Sequence, residues 1–462
     1  MRVAVLNLVG LSPSVFARRK SPALQEFVRR SGGLHTLVPD FPAVTCTVQA
    51  SMLTGRGPAQ HGIVGNGWYD RDLAEVHFWK QSNALVQAPK VWDTLRARAA
   101  DRGAPAPTVA NTFWWFNMNS SVDVAVTPRP QYRADGRKVP DCWTHPPELR
   151  DRLQDELGPF PLFQFWGPGA DIRSTDWIAA AARRIEDTHR PGLQLVYLPH
   201  LDYCLQKFGP DDPRVDPEIR ELDRVFGELE RFFRERGVRV VVVSEYGIAP
   251  VHAACTPNVA LRRAGLLAVR VEDGRELLDT SESRAFAVCD HQAAHVYVRR
   301  PEDVATARAA LEAEDGIERI VGIDELRAAG TAHLRSGELT LVAARGWWFA
   351  YPWWVDAARA PDYARTVDIH RKPGYDPLEL FMDPAIRMPA AYVARKLALR
   401  KVGMRALLDV VPLDTSLVRG SHGRIETGTP YAPVLAGEGL DHLDHAVPAS
   451  ALHDVLVGLC ER

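Results

Sequence analysis

The run Val238-Arg239-Val240-Val241-Val242-Val243 constrains the fold more than any other stretch of the chain. A β-branched segment this dense suits a strand buried on both faces, and such strands belong to parallel sheets covered by helices. Further Val- and Leu-rich candidates lie at Val3 to Val9, Thr108 to Asn111 and Leu193 to Leu198. Between them, Asp176 to His189 and Pro217 to Arg236 have amphipathic helical spacing, the former stopped by Arg190-Pro191-Gly192. The alternation predicts an α/β fold with a mainly parallel central sheet and helices on both faces.

Two stretches break this alternation. Residues 114–169 are crowded with Pro, Trp and Tyr and read as an irregular flap. Residues 324–413 carry Trp347, Trp348, Trp353 and Trp354, then His370-Arg371-Lys372-Pro373-Gly374-Tyr375-Asp376, and read as an inserted cap. The expected organisation is therefore a core of 1–323 and 414–462 with a cap subdomain of 324–413. For any single tryptophan, filling a secondary core is the commoner role.

With 56 Lys+Arg against 58 Asp+Glu the net charge is −2, so no global field draws in duplex nucleic acid or an anionic membrane. The six cysteines are scattered with no CxxC pair, which fits reduced thiols. The apolar N-terminal run Val3-Ala4-Val5-Leu6 is short and contains no cleavage signal, so it reads as a first strand. No segment approaches the roughly 20 apolar residues that span a bilayer. The expectation is a cytoplasmic protein with a small-molecule substrate and neither a nucleic-acid nor a membrane partner.

The first segment that points to chemistry is Phe41-Pro42-Ala43-Val44-Thr45-Cys46-Thr47-Val48-Gln49-Ala50-Ser51-Met52-Leu53-Thr54-Gly55. Thr45 or Thr47 sits where a helix begins, facing unpaired N–H groups and the positive end of the helix dipole. Taken alone, that is also the pattern of an ordinary threonine cap. Downstream come Gly57-Pro58-Ala59-Gln60-His61-Gly62-Ile63, then Tyr197-Leu198-Pro199-His200-Leu201-Asp202, Val243-Ser244-Glu245-Tyr246-Gly247 and Gly420-Ser421-His422-Gly423. In this order they resemble the alkaline phosphatase superfamily, in particular its nucleotide pyrophosphatase/phosphodiesterase branch.

The resemblance implies an alkaline-phosphatase-like α/β sandwich with cap insertions. It implies a hydrolase of phosphate esters or diesters with Thr45 as nucleophile, and metal ligands at Asp202, Glu245 and His422. The family's chemistry uses two divalent ions, which activate the hydroxyl and stabilise the leaving oxygen. Zinc is the first expectation, with manganese or iron as alternatives. Independently of the resemblance, Asp202 and Glu245 follow expected strands, where open α/β sheets place their sites.

The chain departs from the family pattern at several ligand positions. Val9 stands where relatives carry an Asp, Gln206 where they carry a His, Glu245-Tyr246 where they carry Asp-His, and Val48 where they carry an Asn. Asp290, His291 and His295, close together in the chain, are candidates to complete a metal site, either as ligands or, for Asp290, through a hydrogen bond that orients the His291 ring. His200 is a weaker candidate. Gln206, Tyr246, Arg371 and Lys372 are candidates to hold an anionic substrate group. Two other readings stay open at this point: the same scaffold with a single altered metal site and non-phosphate chemistry, or a non-catalytic binding protein.

Overall fold

A computed structural model describes residues 1–134, 136–404 and 406–462. Its centre is a nine-stranded sheet in the order Ala446–Pro448, His35–Val38, Val434–Gly437, Val238–Val243, Arg2–Leu8, Leu193–Leu198, Val109–Thr112, Val124–Pro128, Cys142–His145. The five strands from Val238–Val243 to Val124–Pro128 pair in parallel. Val434–Gly437 and Cys142–His145 join antiparallel. All four strands expected from the sequence are present in the sheet. The valine run lies at its middle beside Arg2–Leu8, with Val241, Val242 and Val243 fully or almost fully buried. The two expected amphipathic helices are Ile172–His189 and Val215–Glu235, and each buries one face.

The two irregular stretches are organised differently from the expectation. The 114–169 segment is no mere flap, because its strands Val124–Pro128 and Cys142–His145 extend the central sheet to its edge. Nor does a boundary near residue 324 separate core from cap. An antiparallel sheet in the order Ala285–Asp290, Ala293–Val298, Leu339–Ala343, Ile317–Gly322 straddles that position. Strand pairing is set by partners distant in sequence, which the composition shift around Asp324 does not reveal.

Two large apolar cores result among the described residues, one around the central sheet and one under the four-stranded sheet, with a third small cluster around Trp348 and Val411. The helix Thr45–Thr54 lies between the two large cores, and all ten of its residues are buried. Val48 and Met52 face the first core, Cys46 and Ala50 the second. Each pair is four residues apart, so one helix shows two apolar stripes. That double burial fixes the start of the helix, and with it Thr45, at the seam of the two units. Trp353 and Trp354 pack edge to face within the second core.

Candidate active site

Thr45 is the first residue of its helix and is only 3% exposed. Its Oγ1 lies 3.2 Å from the Tyr246 hydroxyl, which donates to Asp202 Oδ1 at 3.1 Å. When Tyr246 donates its one proton to Asp202, the hydrogen shared between Thr45 and Tyr246 comes from Thr45, whose hydroxyl also reaches Glu245. The directed chain is Thr45 to Tyr246 to Asp202. The other oxygen of Asp202 accepts from Gln206 Nε2 at 2.8 Å, and Gln206 Oε1 accepts from the Tyr375 hydroxyl at 2.9 Å. Asp202 and Gln206 are four apart on the short helix His200–Phe208, so they share a face.

Glu245 follows the central strand Val238–Val243 and is fully buried. Its Oε2 accepts from Asn7 Nδ2 and from Gln49 Nε2, each at 2.6 Å. Gln49 lies one helical turn beyond Thr45, and Asn7 is the polar residue of an otherwise apolar strand core. Sequence reasoning did not single out either one. The signal was there: an amide inside an all-buried strand or helix requires a polar partner.

Behind this layer four rings lie in series, the outer two pairs stacked and the middle pair tilted by 37°. Tyr246 lies on His422 with centroids 3.5 Å apart and 5° between planes, His422 is 3.7 Å from His291, and His291 is 3.6 Å from Tyr375. His422 Nδ1 is 2.9 Å from the Ala43 carbonyl, which can only accept, so the proton sits on Nδ1 and Nε2 carries a lone pair. Burial pushes both imidazoles well below the usual histidine range, and for His422 the neighbouring His291 adds to the effect. His291 Nδ1 is 2.7 Å from Asp290 Oδ1, and Asp290 also accepts from the backbone and side-chain nitrogens of Asn66 at 2.7 and 3.0 Å. Asn66 in turn caps the Thr45 helix by accepting from Cys46 N–H at 3.0 Å. His291 holds φ +60° in the tight turn between Asp290 and Ala293, a conformation uncommon outside glycine.

Burial pushes Asp202 and Glu245 each up to about 7; hydrogen bonds from Tyr246 and Gln206 to Asp202, and from Gln49, Asn7, Thr45 and Tyr246 to Glu245, pull the other way. For an acid raised on folding, stability present at low pH is lost as pH rises from its unfolded value towards its folded one. Glu245→Gln removes that loss while keeping an oxygen for Asn7 and Gln49. We expect the fall in unfolding free energy between pH 5 and pH 8 to shrink by about 2 kcal/mol in this variant. Denaturant titrations at the two pH values measure it; an unchanged difference would mean that Glu245 is not held protonated.

Other expected site residues lie elsewhere. His295 points away from His291: its Nδ1 is 3.0 Å from Thr340 Oγ1 and its Nε2 2.9 Å from the Val64 carbonyl, so both ring nitrogens are engaged in packing the four-stranded sheet. The shared face expected for the two histidines fails because His291 sits in the turn and only His295 in the strand. His200 Nε2 faces Glu218 at 2.8 Å. Arg371 is exposed, with Asp368 at 3.9 Å. Lys372 is buried between Asp376 and Glu379, at 2.7 and 2.8 Å. The charge of this buried ammonium is matched by two carboxylates of its own chain, so Lys372 fixes the segment carrying Tyr375.

These residues do not fit the two-ion site that the resemblance implies. Among the described residues, no three His, Cys, Asp or Glu side chains converge on a position that could hold a metal ion. The donor chemistry explains it. Val9 offers no oxygen, the Tyr246 ring lies flat against His422 where an ion would need both His422 and Asp202, and each oxygen of Asp202 already accepts a hydrogen bond.

The fold is that of alkaline-phosphatase-like enzymes. It matches phosphonoacetate hydrolase from Sinorhizobium meliloti 1021, solved in complex with phosphonoformate, with TM-score 0.62 and 16% identity over 100% of this chain and 96% of that one. It also matches murine ectonucleotide pyrophosphatase/phosphodiesterase 5, with TM-score 0.58 and 13% identity over 100% and 95%. Residues 3–376 match the type I phosphodiesterase / nucleotide pyrophosphatase family, and the chain belongs to it. An uncharacterised pyrophosphatase/phosphodiesterase of Schizosaccharomyces pombe is 25% identical over 253 residues, covering 54% of this chain and 45% of that protein. Ectonucleotide pyrophosphatase/phosphodiesterase 1 of Saccharomyces cerevisiae is 25% identical over 272 residues, covering 54% and 34%. The chain thus spans less than half the length of these curated relatives. Among the described residues no helix is long and apolar enough to cross a membrane.

Proposed function

We propose that the protein is a phosphoric or phosphonic ester hydrolase in which Thr45 is the nucleophile and protein groups activate it. The observation that carries this reading is the directed hydrogen-bond chain from Thr45 through Tyr246 to Asp202. Family membership supports the reaction class, since the relatives named above are pyrophosphatases and phosphodiesterases. As Thr45 attacks phosphorus, its proton passes to the Tyr246 oxygen while Tyr246 hands its own to Asp202. A carboxylate with its pKa near 7 is matched to that task at neutral pH. Phosphoryl-threonine forms and the leaving oxygen departs, taking a proton from solvent; water then attacks phosphorus and gives its proton to solvent, while Asp202 returns its proton through Tyr246 to the Thr45 oxygen as phosphate is released. The helix N-terminus at Thr45 favours the negative charge that develops beside it. No step is assigned to a divalent ion, because the donor set does not fit one.

The substrate is a small anionic ester. Trp79 and Trp166 each pack on Tyr375, and Trp115 packs on Trp79; a substrate would reach the buried Thr45 by displacing this aromatic layer.

Activity against aryl phosphate mono- and diesters and a phosphonate tests the reading. Turnover is expected to rise with pH through about 7 as Asp202 ionises, and to survive exhaustive chelation. Tyr246→Phe keeps the ring stack but breaks the relay, and Asp202→Asn removes the base; each is expected to lose about 10²–10⁴-fold in kcat. Asp202→Asn should also flatten the pH profile. Activity abolished by chelation and restored by one specific ion would replace the relay with metal activation. Inactivity towards every ester, with tight binding of an anion, would favour the binding-protein reading.

A further inference from the structure

One segment outside the site has a composition unlike the rest of the chain. From Pro384 to Leu408 the sequence carries Arg387, Arg395, Lys396, Arg400, Lys401 and Arg405 and no Asp or Glu, in a protein whose net charge is −2. Asp383 N–H donates to the Val410 carbonyl at 2.7 Å, so the segment leaves and re-enters the fold at one point. Within it, the helix Pro389–Lys401 has no buried residue. Its inner side rests on a small apolar cluster through Tyr392 and Val393, and Lys396 and Tyr392 are both anchored to Asp409 at 2.8 Å.

The exposed residues of the segment are both cationic and apolar. Arg387, Arg395 and Lys401 are exposed, and none of them forms an ion pair among the described residues. Met388, Leu397, Val402, Met404 and Leu407 are 71, 45, 73, 57 and 45% exposed. They are five of the thirteen large exposed apolar side chains among the described residues, and they fall within twenty residues of sequence. An apolar cluster of this kind marks a binding surface.

We infer that this arm docks onto the surface of an anionic lipid bilayer, with the cations at the headgroups and the apolar side chains in the upper acyl region. The charge identifies the partner. A second copy of the chain would bring the same cationic arm and repel it. Duplex nucleic acid would satisfy the charges but leave the five apolar side chains in water. A lipid surface satisfies both, and a single helix of thirteen residues lies in the interface rather than spanning it. The sequence-based expectation of no membrane partner rested on net charge, which averages over this local block, and on the lack of a spanning segment, which a helix lying in the interface does not need. The inference does not depend on the proposed hydrolase activity.

The test is co-sedimentation of the full chain with vesicles of equimolar phosphatidylglycerol and phosphatidylcholine, and with phosphatidylcholine alone. Binding to the anionic vesicles only, weakened by salt, is expected. The triple variant Arg387→Glu/Arg395→Glu/Lys401→Glu should lose about a hundredfold in partitioning, and Leu397→Ser/Val402→Ser roughly tenfold. Both variants alter exposed positions, so unfolding temperature and turnover of a soluble ester should stay at the parent values. No sedimentation with anionic vesicles, equal sedimentation with neutral ones, or unaltered binding by either variant would overturn the inference. So would concentration-dependent self-association through the arm without lipid, or duplex DNA binding that matches vesicle binding and ignores Leu397→Ser/Val402→Ser.

Discussion

Thr45→Ala is expected to remove ester hydrolysis down to background, a loss on the order of 10⁶-fold in kcat if the hydroxyl is the attacking atom. The fold should survive, because Thr45 makes no side-chain cap on its own helix and the Cys46 N–H is held from outside by Asn66. The helix is also clamped between two cores through Val48, Met52, Cys46 and Ala50. Parent protein quenched during turnover should yield a peptide containing Thr45 with the added mass of one phosphoryl group, and the variant should yield none. Retained turnover in Thr45→Ala, or a phosphoryl group on another residue, would take Thr45 out of the mechanism.

Lys372→Met is expected to cost about 3–5 kcal/mol of stability. Among the described residues the ammonium is the one cation paired with Asp376 and Glu379, and all three side chains are almost completely buried. Burial alone would pull its pKa down; the two carboxylates outweigh that and hold it raised, so the lysine is charged. Taking it away leaves two acids together in a low-dielectric site. Glu379 also accepts from Trp166 Nε1 at 2.6 Å and from the backbone of Asp368 at 2.8 Å, so the disturbance reaches the aromatic cover over Tyr375. Denaturant unfolding measures the cost, and Lys372→Met/Asp376→Asn/Glu379→Gln should recover most of it. A loss under about 1 kcal/mol would show that the cluster is already neutralised by protonation.

How much of this was legible in the residues differs from element to element. The central strands were legible because a fully buried strand needs a continuous β-branched run, and such runs are local. The helix Ile172–His189 was legible for the same reason, its apolar spacing being local too. The strands Val124–Pro128 and Cys142–His145 were not, since each is short and gains its stability from a neighbour across the sheet. At the site, Thr45 and Asp202 could be picked out by motif and Tyr246 by its departure from one. Tyr375 lay inside a segment read for its charges, and nothing near it in sequence pointed to Gln206, 169 residues away.

Sequence alone determined the α/β class, the strand at the sheet centre, the threonine at a helix start and the loss of a carboxylate at Val9. Only the tertiary structure decided that a stack of Tyr246, His422, His291 and Tyr375 fills the space beside Asp202, and that Lys372 binds its own chain. The reason is range. Periodicity and motif report what a residue does with neighbours a few positions away, whereas ring stacking, carboxylate desolvation and metal coordination depend on groups that meet only when distant segments pack.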